Sequence, residues 1–162
     1  MIDVVFRDWH TVIVTQREPG RYHEWEFCEK AWYLEGRQGL TGVCRSLLWP
    51  TASGVGSGVA TQPTWKRFQK GDVRRWTFVL SEPGLRAMEG YLETEKGPGL
   101  VEFPGWFEGQ RSYYLFYNCH HFTASALRAA GLPIRPWWAF CGWMVAMQLD
   151  RVRWWHEKEM KA

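Results

Sequence analysis

One stretch of the chain, residues 113–131, constrains the fold more than any other. It opens with an apolar, aromatic run typical of a β-strand, and from residue 119 its apolar side chains recur at helical spacing. Asn118 is a favoured N-cap residue, Gly131 is a typical C-cap residue, and Pro133 follows just beyond. The pattern predicts a strand that leads directly into a helix over residues 119–130, with Cys119 in the first helical turn.

The position of Cys119 allows two interpretations. Unpaired N–H groups and the helix dipole place partial positive charge at the start of a helix, which favours a thiolate over a thiol. A cysteine there can act as a nucleophile if a base lies close to it. Alternatively, Cys119 is a small buried residue, because free cysteine is among the most buried residue types.

The N-terminal segment contains two histidines that could supply this base. Residues 4–15 are rich in β-branched and aromatic side chains, which predicts a mostly buried strand with His10 on it or at its edge. A Glu-Pro-Gly turn follows at 18–20, and a second predicted strand carries His23. In an alternating strand His23 and Trp25 share one face, while Glu24 and Glu26 share the other. If the strands pair as a hairpin, His10 and His23 could approach each other, although a structural role is the simpler interpretation of either histidine alone.

Three segments of the chain resemble a family of thiol enzymes. They are HTVIV at 10–14, EWEFCEKAWYL at 24–34, and the segment that begins with NCHHF at 118. In this order they resemble the permuted papain-like enzymes of the lecithin:retinol acyltransferase and NlpC-like superfamily, in which histidine precedes cysteine along the chain. Within it the chain is most similar to an uncharacterised bacterial family with HTxIVLP-like, EIGWGDxxFYL-like and NCNxWTARALRAAGLP-like segments. The Gly-Trp-Gly-Asp of that family is replaced here by residues 26–29, which keep an acid at Glu29 and lose both glycines.

The resemblance implies an α+β, permuted papain-like (NlpC-like) fold, in which an antiparallel sheet packs against helices and Cys119 begins a helix. It also implies a Cys-His mechanism, in which His10 takes the thiol proton and Cys119 attacks the carbonyl carbon of an ester or amide. The third catalytic member stays open. His23 falls where the acyltransferase branch has its second histidine, whereas Glu24 matches the bacterial family better.

Further residues are expected to contact the substrate. The backbone N–H of Cys119 would hold the oxyanion, and Tyr22 or a loop amide would donate the second hydrogen bond. The other expected substrate-binding residues are Trp25, Asn118 and His120. Because consecutive helical residues lie about 100° apart, His120 and His121 cannot both face one cleft.

Composition limits the other possible ligands. The 162-residue length predicts a single domain over 1–162, and the scattered basic residues with a net charge of +3 predict no nucleic-acid partner. The four cysteines show no metal-finger spacing, and a disulfide framework is not expected in a chain of this size. The glycine run at 54–58 lacks a preceding strand and a Walker lysine, which argues against a nucleotide site. We therefore expect neither a metal nor another cofactor.

Location and membrane contact are predicted from the distribution of apolar residues. No hydrophobic leader is present, and no apolar run reaches the roughly 18–20 residues of a membrane span. This predicts a soluble, cytoplasmic protein, or a periplasmic or membrane-associated one if a leader has been trimmed. The segment WWAFCGWMVAM at 137–147 is either a core helix or an apolar face that meets an acyl chain or a membrane interface. Peripheral membrane contact is therefore possible, and the oligomeric state is left open.

The remaining patterns predict the scaffold. They indicate a helical turn at 29–36, a segment at 39–63 that is mainly loop with a helical turn at 44–49, a strand at 72–80, and a loop at 97–110. A helix is predicted to begin after Ser81 and to place Leu85, Met88 and Leu92 on one face.

Three functions are compatible with these patterns. The first is a cysteine-dependent hydrolase or acyltransferase that acts on an ester or amide of a lipid-like substrate, which the surplus of aromatic residues favours. The second is the same chemistry on a cell-wall or other peptide amide, which a polar and acidic cleft would favour. The third is a non-catalytic binding protein on the same scaffold, which is favoured if Cys119 lies far from His10 or is sealed from solvent. A metal site formed by Cys119, His120 and His121 is disfavoured, because adjacent helical residues point in different directions.

Overall fold

A computed structural model describes residues 1–7, 9–37, 39–67 and 73–159. In chain order its strands are β1 (Ile2–Arg7), β2 (His10–Glu18), β3 (Arg21–Glu29), β4 (Ser53–Ala60), β5 (Val73–Phe78), β6 (Lys96–Gly99) and β7 (Trp106–Gly109). The helices are α1 (Lys30–Tyr33), α2 (Leu40–Leu48), α3 (Thr64–Arg67), α4 (Glu82–Thr94), α5 (Cys119–Ala129) and α6 (Gly142–Glu159), with a 3-10 turn at Pro136–Trp138. The described strands form one antiparallel sheet in the order β5-β1-β2-β3-β4-β7-β6, so the fold is α+β as predicted.

The main core lies on one face of this sheet. Alternate residues of β2 and β3, including Ile13, Trp25 and Phe27, point to that face and are almost fully buried. The helix α5 covers them, and the Phe122 ring stacks on Phe27 at a centroid distance of 5.2 Å. Burial of these rings is the main hydrophobic stabilisation of α5 against the sheet.

The hairpin of β2 and β3 contains a β-bulge that decides which side chains share a face. Glu18 pairs with Arg21, whereas Gln16 pairs with Tyr22, so Arg17 is an extra residue on β2. A shift of one residue exchanges the two faces of a strand. As a result Val12 lies opposite Glu26, and the even-numbered residues of both strands share one face.

The helix α5 begins and ends where the sequence predicts. The side chain of Asn118 accepts hydrogen bonds from the backbone N–H groups of the first turn, and Gly131 adopts a φ of 89° just after the helix. The prediction of a strand directly before α5 is wrong. Tyr113 makes an isolated bridge to Thr51, and residues 114–117 form a tight turn closed by backbone hydrogen bonds of 2.9 and 3.0 Å. The fold places this aromatic run beside the cavity described below, where tertiary contacts override its strand composition.

The glycine-rich segment predicted as a loop is instead the strand β4. Gly56 lies opposite Glu26 in the ladder, and a Cβ atom at Gly56 would come 2.7 Å from Cγ of Glu26 and 3.1 Å from the Trp106 ring. The glycine is therefore required for this close approach rather than for a loop. The segment 97–110, also predicted as a loop, includes the short strands β6 and β7 that extend the sheet beyond β4.

The other predicted elements are close to those observed. Ser81 caps α4, whose residues Leu85, Met88 and Leu92 are buried as predicted. The last segment contributes to the core as predicted, because α6 buries Val145, while Trp143 is 61% exposed. That this segment meets an acyl chain or a membrane interface stays a prediction. Among the described residues, no helix combines the length and the apolar character that crossing a bilayer requires.

Candidate active site

The start of β2 and the start of α5 are joined by buried hydroxyl groups. Thr11 donates a hydrogen bond of 3.0 Å from Oγ1 to the carbonyl oxygen of Cys119, and Thr123 donates one of 3.0 Å to Oγ1 of Thr11. Because His10 directly precedes Thr11, these bonds bring the histidine to the first turn of α5. The strand and the helix predicted to carry the base and the nucleophile therefore meet.

The sulfur of Cys119 lies between two imidazole rings. Its side chain hydrogen-bonds to His10, and Sγ lies 3.8 Å from Nδ1 of His120 and 3.8 Å from the carbonyl oxygen of Trp9. Burial opposes ionisation of the thiol, but the electrostatic interaction with His120 and the hydrogen bond to His10 lower the pKa of Cys119 well below its ordinary value. Both contacts therefore favour the thiolate over the thiol.

His10 is held from its other side by Glu26. The Nε2 atom of His10 lies 3.1 Å from Oε2 of Glu26. Burial alone would lower the pKa of His10, but its hydrogen bonds to Cys119 and Glu26 raise this pKa to about 9. The ring of Tyr33 stacks on His10 at a centroid distance of 5.2 Å and fixes its plane. Cys119, His10 and Glu26 thus form a continuous chain of proton-sharing groups.

Neither of the third members expected from sequence reaches His10. His23 lies opposite Thr15, five residues along β2 from His10, a separation of roughly 16 Å at the rise of a β-strand. Its ring bonds to Ser57 at 3.0 Å, and burial lowers its pKa. Glu24 accepts a hydrogen bond of 2.7 Å from the backbone N–H of Thr64 and forms an ion pair with Arg67.

The two aromatic residues expected to bind substrate also lie elsewhere. The ring of Tyr22 packs edge-on against Trp65 at 6.0 Å, in a small cluster on the opposite sheet face from the main core. Trp25 is a core residue, 1% exposed, and its ring contacts that of His23 at 4.4 Å. Their alternation along β3 was visible in the sequence, but the sheet register that removes them from the site was not.

Asn118 and His120 do line the cavity around Cys119. The amide of Asn118 is nevertheless used within the protein, since Oδ1 accepts from the backbone of His120 and Nδ2 donates to the carbonyl oxygen of Phe140 at 3.1 Å. Asn118 therefore caps α5, and its role in substrate binding stays a prediction. His120 lies beside the sulfur, whereas burial and the charge of His120 lower the pKa of His121 to about 4, so His121 is neutral at pH 7.

Tyr113 is a site residue that the sequence analysis did not identify. Its hydroxyl hydrogen-bonds to Cys119, and burial together with the nearby negative charge of Cys119 raises the pKa of Tyr113. The group therefore stays protonated and can donate a hydrogen bond. The sequence placed Tyr113 in a strand, and nothing in that pattern indicated the approach to Cys119.

The side chain of Glu26 packs against β4 and against aromatic rings. Gly56 leaves the space that its side chain occupies, and Trp106 lies over the same glycine. The Trp106 ring contacts Tyr33 at 5.7 Å, and Tyr33 in turn stacks on His10. The orientation of the imidazole thus depends on residues of four separate segments.

Cys119 opens into a cavity of about 610 Å³. The residue is only 3% exposed, so access to the sulfur runs through this cavity. Six of the sixteen lining residues carry large aromatic or aliphatic side chains, namely Trp9, Trp32, Tyr33, Leu47, Tyr113 and Phe140. Glu29 also lines the cavity, but it caps α1 by accepting a hydrogen bond from the backbone N–H of Trp32.

Other candidate groups are the remaining cysteines and the acidic side chains of the described residues. All four cysteines are free thiols, and burial raises the pKa of Cys28. In the described part of the chain, no cluster of three or more His, Cys, Asp or Glu side chains could hold a metal ion.

Comparison with known proteins does not identify a relative. None of the family models, curated proteins or solved structures matches this chain. Functional inference therefore rests on the geometry of the site.

We expect Gly56→Ala to slow alkylation of Cys119 by iodoacetamide about threefold to tenfold at mildly acidic pH. The added methyl group displaces Glu26, which weakens its bond to His10 and raises the pKa of Cys119. The matched control is Gly58→Ala on the same strand, where a Cβ atom meets nothing within 4 Å. Peptide mass spectrometry gives the rate at Cys119, and thermal unfolding of both variants tests for global damage. Equal rates in the two variants would contradict the role of Gly56.

Proposed function

We propose that this protein is a cysteine-dependent hydrolase or acyltransferase that acts on an ester or amide bond through an acyl-enzyme. The observation that carries the proposal is the continuous contact of Cys119 with His10 and of His10 with Glu26 beside a cavity. We also propose that the fold is permuted papain-like. The order of the chain supports this, because the histidine strand precedes the cysteine helix and the sheet is antiparallel.

The first half of the reaction is attack by Cys119. The thiolate forms a bond to the carbonyl carbon, and the carbonyl π electrons move to oxygen to give an oxyanion. Collapse of this intermediate breaks the bond to the alcohol or amine. The leaving group takes its proton from protonated His10, whose pKa near 9 keeps the acid form available at neutral pH.

The second half returns the enzyme to its starting state. Neutral His10 takes a proton from water or from an acceptor alcohol or amine, whose oxygen or nitrogen then attacks the thioester carbon. The thiolate of Cys119 leaves and regains its ion pair with His10. Water as the acceptor makes the protein a hydrolase, and another acceptor makes it an acyltransferase. Glu26 keeps the imidazole oriented and stabilises its charged form throughout.

Two donors are proposed to stabilise the oxyanion. The first-turn N–H of Cys119 has no acceptor within α5, because helical hydrogen bonds reach back four residues. The second donor is the hydroxyl of Tyr113, which hydrogen-bonds to the side chain of Cys119 and stays protonated because its pKa is raised. Tyr113 thus takes the place in the proposal for which Tyr22 or a loop amide was expected.

The lining of the cavity favours a lipid-like acyl group. Six large aromatic or aliphatic side chains line it, and its acid Glu29 is engaged by the cap of α1. A cell-wall peptide would instead require polar groups free to bind its amides and charges. We therefore place the lipid-like ester or amide ahead of the peptide amide.

The proposal predicts Cys119-dependent hydrolysis of a fluorogenic ester with a medium-length acyl chain. Cys119→Ser and His10→Ala should lower kcat/KM at least about 10³-fold, and Glu26→Gln about tenfold to a hundredfold. The matched control is His23→Gln, which alters the other histidine of the hairpin and should leave turnover unchanged. Intact-mass spectrometry should detect an acyl adduct on Cys119. Absence of both turnover and adduct would favour a non-catalytic binding protein.

A separate prediction concerns Tyr113. Tyr113→Phe should lower kcat about tenfold to a hundredfold, because one oxyanion donor is lost, while alkylation of Cys119 by iodoacetamide continues. Tyr114→Phe removes a hydroxyl from the next residue and is the control. An unchanged kcat in Tyr113→Phe would show that the phenol does not stabilise the transition state.

A further inference from the structure

The opening of the cavity is surrounded by large apolar side chains that the described structure leaves uncovered. Trp9 and Leu47 line the cavity and are also exposed, so they lie at its opening. The residues that form this mouth surface, with their exposed fractions, are Trp9 (86%), Leu47 (39%), Leu48 (67%), Trp49 (68%) and Phe116 (61%). Exposed apolar groups of this size and concentration mark a site of interaction.

The mouth surface is continuous with the walls of the cavity. Leu47 accepts a backbone hydrogen bond of 3.1 Å from Leu115, which joins the end of α2 to the turn that precedes Cys119. The ring of Phe116 packs edge-on against Phe140, another wall residue, at 5.8 Å. A ligand that covers this surface therefore also faces the route to the sulfur.

The helix α2 is fixed in a position that keeps its apolar end outward. A Cβ atom at Gly42 would come 2.9 Å from the carbonyl oxygen of Arg37 and 3.1 Å from the Trp32 ring, so the helix backbone packs directly on α1. Ser46 faces the cavity and is buried. Leu48 and Trp49 follow at the end of the helix, and no further turn of α2 covers them.

The charge around the mouth surface distinguishes between partners. Except for Trp9, its residues come from segments 36–71 and 109–149, which contain no Asp or Glu. Arg45 lies one turn before Trp49 on α2 and is exposed. Tryptophan and arginine beside aliphatic groups, with the carboxylate of Glu29 in the cavity engaged by the cap of α1, are typical of surfaces that lie in the headgroup region of a bilayer.

We propose that the mouth surface docks on a lipid bilayer with anionic headgroups, so that an acyl chain passes from the bilayer into the cavity of Cys119. This inference rests on the proposed function and adds how the substrate arrives. A protein partner on the same surface would close the opening, whereas a bilayer presents acyl chains to it. Arg45 contacts the headgroups, and Trp49 and Leu48 enter the interface.

The test is co-sedimentation of the full chain with vesicles. One set contains phosphatidylcholine alone and the other contains phosphatidylcholine with phosphatidylserine. The parent should bind the anionic vesicles more tightly, and the double variant Leu48→Glu/Trp49→Glu should bind them at least about tenfold more weakly. The matched control is Val79→Glu/Val101→Glu, which alters two exposed valines outside the mouth surface and should bind like the parent. Circular dichroism and thermal unfolding verify that both double variants are folded.

Three results would overturn the docking proposal. They are failure of the parent to bind either vesicle, equal binding by the Leu48→Glu/Trp49→Glu variant, and equally tight binding to neutral and anionic vesicles. Vesicle-independent self-association of the parent that the same variant abolishes would assign the surface to a second copy of the chain instead. Hydrolysis of a short, fully soluble ester by the parent tests the proposed function separately, because that substrate does not depend on a membrane.

Discussion

The contact between the start of β2 and the start of α5 is the constraint on which the site depends. Thr11 bonds to the carbonyl oxygen of Cys119 across 108 residues of sequence, and Thr123 bonds to Thr11 in turn. These groups are buried, so leaving either hydroxyl without its partner would lower the free energy of unfolding. Because His10 precedes Thr11, the contact that positions α5 also determines how close His10 lies to Cys119. Stability and chemistry are therefore coupled at one junction.

Local sequence signals were sufficient for the elements that carry this junction. Asn118 and Gly131 mark the ends of α5 through capping chemistry, which acts within a few residues. The alternation of β3 was also visible, including the shared face of Glu24 and Glu26. The contact of Glu26 with His10 was not visible in the sequence, because it depends on the bulge at Arg17. Without that extra residue the faces of β2 would be exchanged relative to β3, and sequence pattern does not reveal a single inserted residue.

Other parts of the site were missed because they are set by contacts distant in sequence. A run of glycines reads as a loop, yet Gly56 is in a strand, since Glu26 and Trp106 occupy the space where a side chain would be. Tyr113 has strand composition, but the turn that follows it carries its hydroxyl to Cys119. Composition describes what a residue prefers, whereas these positions are decided by neighbours from other elements.

The central claim is that Cys119 is a thiolate at neutral pH because two imidazoles, His120 and the Glu26-held His10, favour its charge. The most direct test is titration of thiolate absorbance in the far ultraviolet, taken as the difference between the parent and Cys119→Ser. The account predicts that Cys119 ionises well below the ordinary range of a cysteine, and that His10→Ala moves this ionisation upward. A difference spectrum that titrates near pH 8.5, the ordinary range of a cysteine, and does not respond to His10→Ala would contradict the account.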